Sequence, residues 1–351
     1  MNNVDLVYSM PTSPLTAEDH DALHRAAQWQ PQISLSDLNV DSLREVTARE
    51  GIELSTAVLY DRIRRSNCHG PFIQKIEEQE ASAPGVHSEN TLIGVIPGAF
   101  WQEHPETGAD GRFIFPIAAQ VGLGAQLVPV HSFGPLAANG QMVLDWLGRH
   151  RDRDIVLVSL SKGGLDLKTA ITISQARGSV DFHFGHVRAW VSMGGPLQGT
   201  PLVHWLHQRP LRSAGLRVLL RLRGQRFNVV NELSRGPGAP LWQWPQVPQW
   251  VRLIHVLSFP LRRHLTHRWA PRGYDRLAPM GPNDGAGILL GDLTSWPGVV
   301  YPVWGADHYL QPRWDISPIL RSILVESLGR PSQTIKSAVN ASAIPASKSM
   351  A

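Results

Sequence analysis

The sequence predicts an α/β protein: a doubly wound, mostly parallel sheet, preceded by a helical extension and interrupted by one long insertion. Three observations carry this. Apolar runs of strand length recur from Thr91 onward and alternate with helical patterns, as a sheet with crossover helices requires. The run Asp154-Ile-Val-Leu-Val-Ser-Leu is apolar almost throughout, which suits a central parallel strand buried on both faces. With 31 Gly and 27 Pro in 351 residues, long coiled-coil or all-helical architectures are disfavoured.

Residues 1–90 read as a helical N-terminal extension, with 14 acidic against 7 basic residues. Leu54, Ala57, Val58, Tyr60 and Ile63 recur at helical spacing, with Arg62, Arg64 and Arg65 at the end of the pattern. The stretches Ser34–Val40 and Asp41–Glu45 look like helix entries with acidic first turns. An extension docked on a core domain is expected, in preference to a partner-binding arm. Residues 91–330 form the α/β domain. Its strands are expected at Thr91–Ile96, Gln126–Val130, Asp154–Leu160, Val187–Met193, Trp250–Leu257 and Val299–Trp304. Arg112–Gln120 leads into a helix, and Gln141–Leu147 is an amphipathic one. Residues 331–351 are small and polar without periodicity, so a disordered tail is expected.

Composition removes several functional classes. Apolar residues at 42% suffice for a sizeable core. A net charge of +4 is too small to announce a nucleic-acid binder, and no nucleic-acid partner is expected. The single Cys68 excludes a disulfide framework and a Cys-based zinc site. The pairs His183/His186, His204/His207 and His264/His267 lack an evident carboxylate third ligand, so no metal is expected. The N-terminus has neither a basic nor an apolar leader segment. No apolar run approaches the ~20 residues of a membrane span. A cytoplasmic protein is the expectation, with peripheral membrane contact the alternative.

The sharpest local signal is Val158-Ser159-Leu160-Ser161-Lys162-Gly163-Gly164-Leu165, placed between the best strand and a helical pattern. It has the form small-x-Ser-x-Gly, a nucleophile elbow. The turn is so tight that only small residues are admitted around it, here Ser159 and Gly163. It lifts the Ser161 hydroxyl above the carboxyl edge of the sheet and aims the next helix's N-terminus at it. Taking Ser159 as the nucleophile would leave Ser161 at a position that wants Gly.

On these residues the chain resembles the α/β-hydrolase superfamily, and within it lipase- and esterase-like members. Ser159 stands where the usual pattern has its first Gly. The resemblance spans roughly residues 91 to 310 as organisation, carried by a few short motifs. It implies a chain order of serine, acid, histidine. Asp284, in Pro282-Asn-Asp-Gly, is then the orienting acid, and His308, in Gly305-Ala-Asp-His, the general base. Asp284 as a mere turn residue and His308 as a surface histidine are the alternatives; Asp275, Asp292 and Asp307 are competing acids. The resemblance also implies an oxyanion hole from the Lys162 amide and from the loop Pro97-Gly-Ala-Phe, with Ala99 favoured over Phe100. Phe100 and Trp101 are candidates for lining an acyl pocket, or else core aromatics. The turn Gly194-Gly-Pro-Leu-Gln-Gly-Thr-Pro resembles the entry to a lid.

The insertion, about 197–250, is accordingly expected to form a cap or lid. Residues 197–268 carry 11 Arg, no Lys and one acid, Glu232. Together with Trp205, Trp242, Trp244 and Trp250 this suits contact with an anionic membrane. Neutralisation of the acidic N-terminal region is the competing account. The expected activity is hydrolysis of a carboxylic ester, of a small molecule or a lipid, through an acyl-enzyme on Ser161 and without a cofactor. An acyltransferase and a non-catalytic binding protein on the same scaffold are the rivals. Oligomeric state is not legible.

Overall fold

The computed structural model describes residues 15–80, 90–310 and 315–329. The tail from residue 331 lies outside the described residues.

Four helices precede the sheet: α1 (Ala17–Gln28), α2 (Val40–Glu50), α3 (Ile52–Arg65) and α4 (Gly70–Glu80). Thr16 and Asp19 close a capping box on α1. The cap of α2 is Asn39, whose Oδ1 accepts from the Asp41 and Ser42 amides at 2.9 Å each. The expected entry at Ser34–Val40 is instead mostly a separate 3₁₀ turn, Leu35–Asp37. Along α3 every residue from Leu54 to Ile63 is buried. Tyr60 packs edge-on to Phe259 and against Trp304 in the sheet. Even Arg62 is inside, donating to the Ile33 and Trp29 carbonyls at 2.6 Å each. One hydrophobic core therefore runs through both the extension and the sheet.

The sheet comprises β1 (Thr91–Ile96), β2 (Gly124–Leu127), β3 (Asp154–Leu160), β4 (Val187–Met193), β5 (Arg252–Phe259) and β6 (Val299–Trp304). All pairings are parallel, in the order β2-β1-β3-β4-β5-β6. Between them lie α5 (Ile114–Gln120), α6 (Leu136–Arg149), α7 (Lys162–Ala176) and α8 (Val180–Phe184). The chain runs outward from β1 to β2, then returns over β1 to β3. Right-handed crossovers in opposite directions place α5 on one face and α6 and α7 on the other. The reversal creates a switch point between β1 and β3, where α/β proteins assemble their sites. β2 starts two residues earlier than the sequence suggests and ends at Leu127, because the next inward N–H after Val128, that of Val130, turns back to the Val128 carbonyl at 2.8 Å. The last ladder bond there is Val128 N–H to the Val95 carbonyl, 2.8 Å. At the opposite edge, the outward N–H of Val300 donates to His69 Nδ1 at 3.3 Å.

The insertion leaves β4 and forms α9 (Leu202–His207), α10 (Pro210–Leu222) and α11 (Asn228–Glu232). Its neck is closed by Thr200 N–H to the Leu233 carbonyl, 2.8 Å. Buried Lys168 on α7 donates to the Leu197 and Leu241 carbonyls at 2.6 Å each, tying entry to exit. Val203, Leu220, Val229 and Val230 form a second apolar cluster with Phe133, against which Ala99 and Phe100 pack. The last helices are α12 (Ala270–Leu277) and α13 (Ser317–Ser327), the latter packing on α4 and α5. Among the described residues no helix is long and apolar enough to cross a membrane.

Candidate active site

β3 ends at Leu160 and α7 begins at Lys162, leaving Ser161 alone in the turn. Its φ of 45° and ψ of −116° lie outside the ordinary regions for an L-residue, a strain that holds the hydroxyl clear of the sheet. Gly163 is required by its neighbours: a Cβ there would lie 2.5 Å from the Ile96 carbonyl oxygen and 2.6 Å from that of Pro97. The end of β1, more than Ser159, is what Gly163 must clear. Gly164 is the residue facing Ser159, whose Oγ accepts from Trp190 Nε1 at 2.8 Å.

Asp284 and His308 come from two loops beyond β5 and β6 and meet Ser161. His308 Nε2 lies 3.1 Å from Ser161 Oγ, and His308 Nδ1 lies 2.5 Å from Asp284 Oδ2. A carboxylate only accepts, so Nδ1 carries the proton and Nε2 is left to accept from the serine hydroxyl. The other oxygen, Asp284 Oδ1, accepts from the amides of Ala286, Gly287 and Ile288 at 2.9–3.0 Å. The His308 amide donates to the Asp284 carbonyl at 3.0 Å, linking the loops through backbone as well. Gly194 forms a wall beside the imidazole, where a Cβ would stand 3.4 Å from the ring.

Electrostatics follow from this geometry. Burial alone would push the Asp284 carboxyl up. The His308 charge and hydrogen bond, with the Ile288 and Ala286 amides, outweigh it and hold the carboxyl below its ordinary value. Burial alone would lower His308. The Asp284 charge and hydrogen bond, with the Asp307 charge, raise it above the usual histidine value.

The competing acids have other partners. Asp307 Oδ2 accepts from the Thr266 and His267 amides at 3.0 and 3.1 Å, and its Oδ1 from Tyr309 N–H at 3.0 Å. Asp275 pairs with Arg262, and Asp292 with Arg235.

The loop after β1 lies against the serine: a Cβ on Gly98 would be 3.4 Å from Ser161 Cβ. The Phe100 amide donates to the Ser132 carbonyl at 3.0 Å, whereas the Ala99 amide has no partner among the described residues. The Lys162 amide, at the first turn of α7, is likewise unpaired among the described residues. The Lys162 side chain is turned away and buried, its Nζ 2.7 Å from Asp166 Oδ1; Asp166 Oδ2 accepts from Asn139 at 3.0 Å. Phe100 stacks on Phe133 with centroids 4.4 Å apart. Trp101 is not part of that apolar cluster, and its buried Nε1 has no partner among the described residues.

Sequence reasoning missed Phe133, Ser132 and Gly194. The Gly194-Gly195 pair was read for its resemblance to a lid entry, not for the wall it makes beside His308. Phe133 and Ser132 carried no signal, because their relation to the serine exists only after folding.

No family model matches the chain, and no curated protein matches it. Solved structures similar to it include a metagenomic carboxyl esterase, 18% identical over 70% of this chain and 79% of that one, with a TM-score of 0.48. The mature form of a Bacillus licheniformis lipase is 17% identical over 69% and 91%, at 0.45. A thioesterase from the prodiginine biosynthetic pathway of Streptomyces coelicolor is 14% identical over 70% and 96%, at 0.36. None of the three reaches a TM-score of 0.5.

Proposed function

We propose that this chain, which has the α/β-hydrolase fold, hydrolyses carboxylic esters through an acyl-enzyme on Ser161. The observation that carries the reading is the unbroken relay from Ser161 through His308 to Asp284, at 3.1 and 2.5 Å, beside the Ala99 and Lys162 amides, which are unpaired among the described residues.

Ser161 Oγ attacks the ester carbonyl while His308 Nε2 takes its proton. Asp284 keeps the imidazole in the tautomer that can do so and stabilises the imidazolium that forms. The Ala99 and Lys162 amides, with the positive end of α7, receive the oxyanion. His308 returns the proton to the departing alkoxide, leaving the acyl group on Ser161. Water, deprotonated by His308, then attacks the acyl-enzyme and releases the acid. The apolar part of the substrate packs against Phe100, Phe133 and Val230, which adjoin the oxyanion loop.

Ser161→Ala should lower turnover of an aryl ester by about 10⁴–10⁶. A fluorophosphonate probe should label the native chain at Ser161 and leave the variant unlabelled. Labelling that persists in the variant would sink the assignment.

A further inference from the structure

The arginines of residues 197–268 fall into two sets once their partners are known. Arg235, Arg252, Arg262, Arg263 and Arg268 pair with Asp292, Glu326, Asp275, a Glu18/Asp19/Glu53 group and Glu106. Arg209, Arg212, Arg217, Arg221, Arg223 and Arg226 form no ion pair among the described residues. All six lie on or directly beside α10. The one acid of the insertion, Glu232, is turned away from them, its Oε2 accepting from the Leu136 amide at 2.7 Å. Neutralisation by the acidic extension therefore accounts for Arg263 and leaves these six unanswered.

The positive charge is concentrated further at Trp205. The guanidinium carbons of Arg209, Arg212 and Arg276 lie 4.2, 5.1 and 4.1 Å from its ring centre. Burial, then the charges of Arg212, Arg272 and Arg209, pull the Arg276 guanidinium below its ordinary value. None of these arginines has a carboxylate partner among the described residues, so an external anion would relieve the crowding.

Beside this charge α10 exposes hydrocarbon. Leu211 is 88% exposed, Leu222 80% and Val218 60%. Their spacing of seven and four residues places them on one stripe, with Arg212 and Arg221 on its two flanks. The opposite side of the same helix, through Leu216 and Leu220, belongs to the apolar cluster that includes Phe100 and Phe133.

We propose that α10 and the arginines around Trp205 dock this protein on a bilayer bearing anionic phospholipid. The guanidinium groups take headgroup phosphates, and Leu211, Val218 and Leu222 enter the acyl boundary. A soluble polyanion would satisfy the arginines and leave the leucines in water; a bilayer satisfies both. Leucine serves as the hydrocarbon anchor where the sequence suggested tryptophan. Trp244 packs with His255 and Trp296, and Trp250 donates to the Phe184 carbonyl. The proposal stands whether or not Ser161 is a nucleophile, because adsorption needs no turnover.

The test is co-sedimentation of the full chain with phosphatidylcholine vesicles, with and without phosphatidylglycerol. Binding should require phosphatidylglycerol and weaken as salt rises. Leu211→Gln with Leu222→Gln should lower the partition coefficient by about tenfold or more per leucine. Arg217→Gln and Arg221→Gln should lower it by about fivefold per charge. All four positions are exposed, and unchanged thermal melting will confirm an intact fold. Equal binding to neutral vesicles, or no loss in the leucine variant, would overturn the proposal. So would release by inorganic phosphate beyond that caused by chloride at equal ionic strength, which would indicate a site for free phosphate. A dimer without vesicles that the leucine variant dissolves would show the face paired with a second copy, and would equally overturn it.

Discussion

The loop carrying Asp284 and the insertion carrying α10 are held in opposite ways. Asp284 is fixed by three backbone amides on one oxygen, by His308 on the other, and by its own carbonyl taking the His308 amide. Its position is over-determined, as its proposed role of orienting a base requires. Beyond its neck, the insertion is held by the apolar cluster at Phe133 and by polar contacts such as Glu232 to the Leu136 amide and Gln225 to Glu103. The difference teaches that rigidity is concentrated where protons would move. The insertion beyond its neck has fewer bonds to lose.

The sharpest way to test that contrast is Asp284→Asn. The amide still accepts from the loop's backbone, so the loop should fold, but the ring loses the partner that sets its tautomer. On the proposed mechanism kcat should fall by about 10⁴ with melting nearly unchanged. A loss of stability matching the loss of rate would make Asp284 a structural residue.

A second test uses pH. The proposed base must be neutral, and its pKa lies above the ordinary 6.5, because the Asp284 charge outweighs burial. Below that pKa, kcat/KM should fall about tenfold per pH unit, with the midpoint above 6.5. The residual activity of Asp284→Asn should show its midpoint moved to lower pH. An unmoved midpoint would separate His308 from the acid.

The smallest effect tests the other side of the comparison. Glu232→Ala removes the side-chain acceptor from the first turn of α6, costing about 1 kcal/mol. It should speed tryptic cleavage at Arg217 and Arg221 and lower Tm slightly, while active-site labelling of Ser161 persists. Loss of labelling would show that the insertion and the serine are coupled.

Much of the sheet was legible because its strands are apolar runs bounded by turn residues; β1, β3, β4 and β6 fall where the sequence puts them. β2 was displaced because Val128-Pro129-Val130 has strand composition, yet the Val130 N–H turns back to the Val128 carbonyl instead of reaching β1. The extension was legible as helical. The depth of α3 was not, since a helix holding Asp61 and Arg62 reads as a surface element until its carbonyl partners are seen. The meeting of Ser161, Asp284 and His308 was legible through local turns and the chain order that the resemblance implied. The choice of Ala99 over Phe100 gains support only from Ser132, whose carbonyl takes the Phe100 amide. The insertion's charge was legible as a sum. Its division into paired and unpaired arginines depends on which acids lie nearby in space.

The His69 contact at β6 has a consequence for solubility. β6 is the last strand, and an edge strand with free N–H groups can template the addition of a foreign strand. Here the outward N–H of Val300 is taken by His69. Two residues on, the next outward position is Pro302, which has no N–H to offer. Burial drags the His69 pKa down to about 4, so the ring stays neutral and keeps its lone pair across the physiological range. The sheet therefore ends at β6 on an edge with little left to recruit a neighbour, and the extension that carries His69 shields that edge from pairing with a foreign strand.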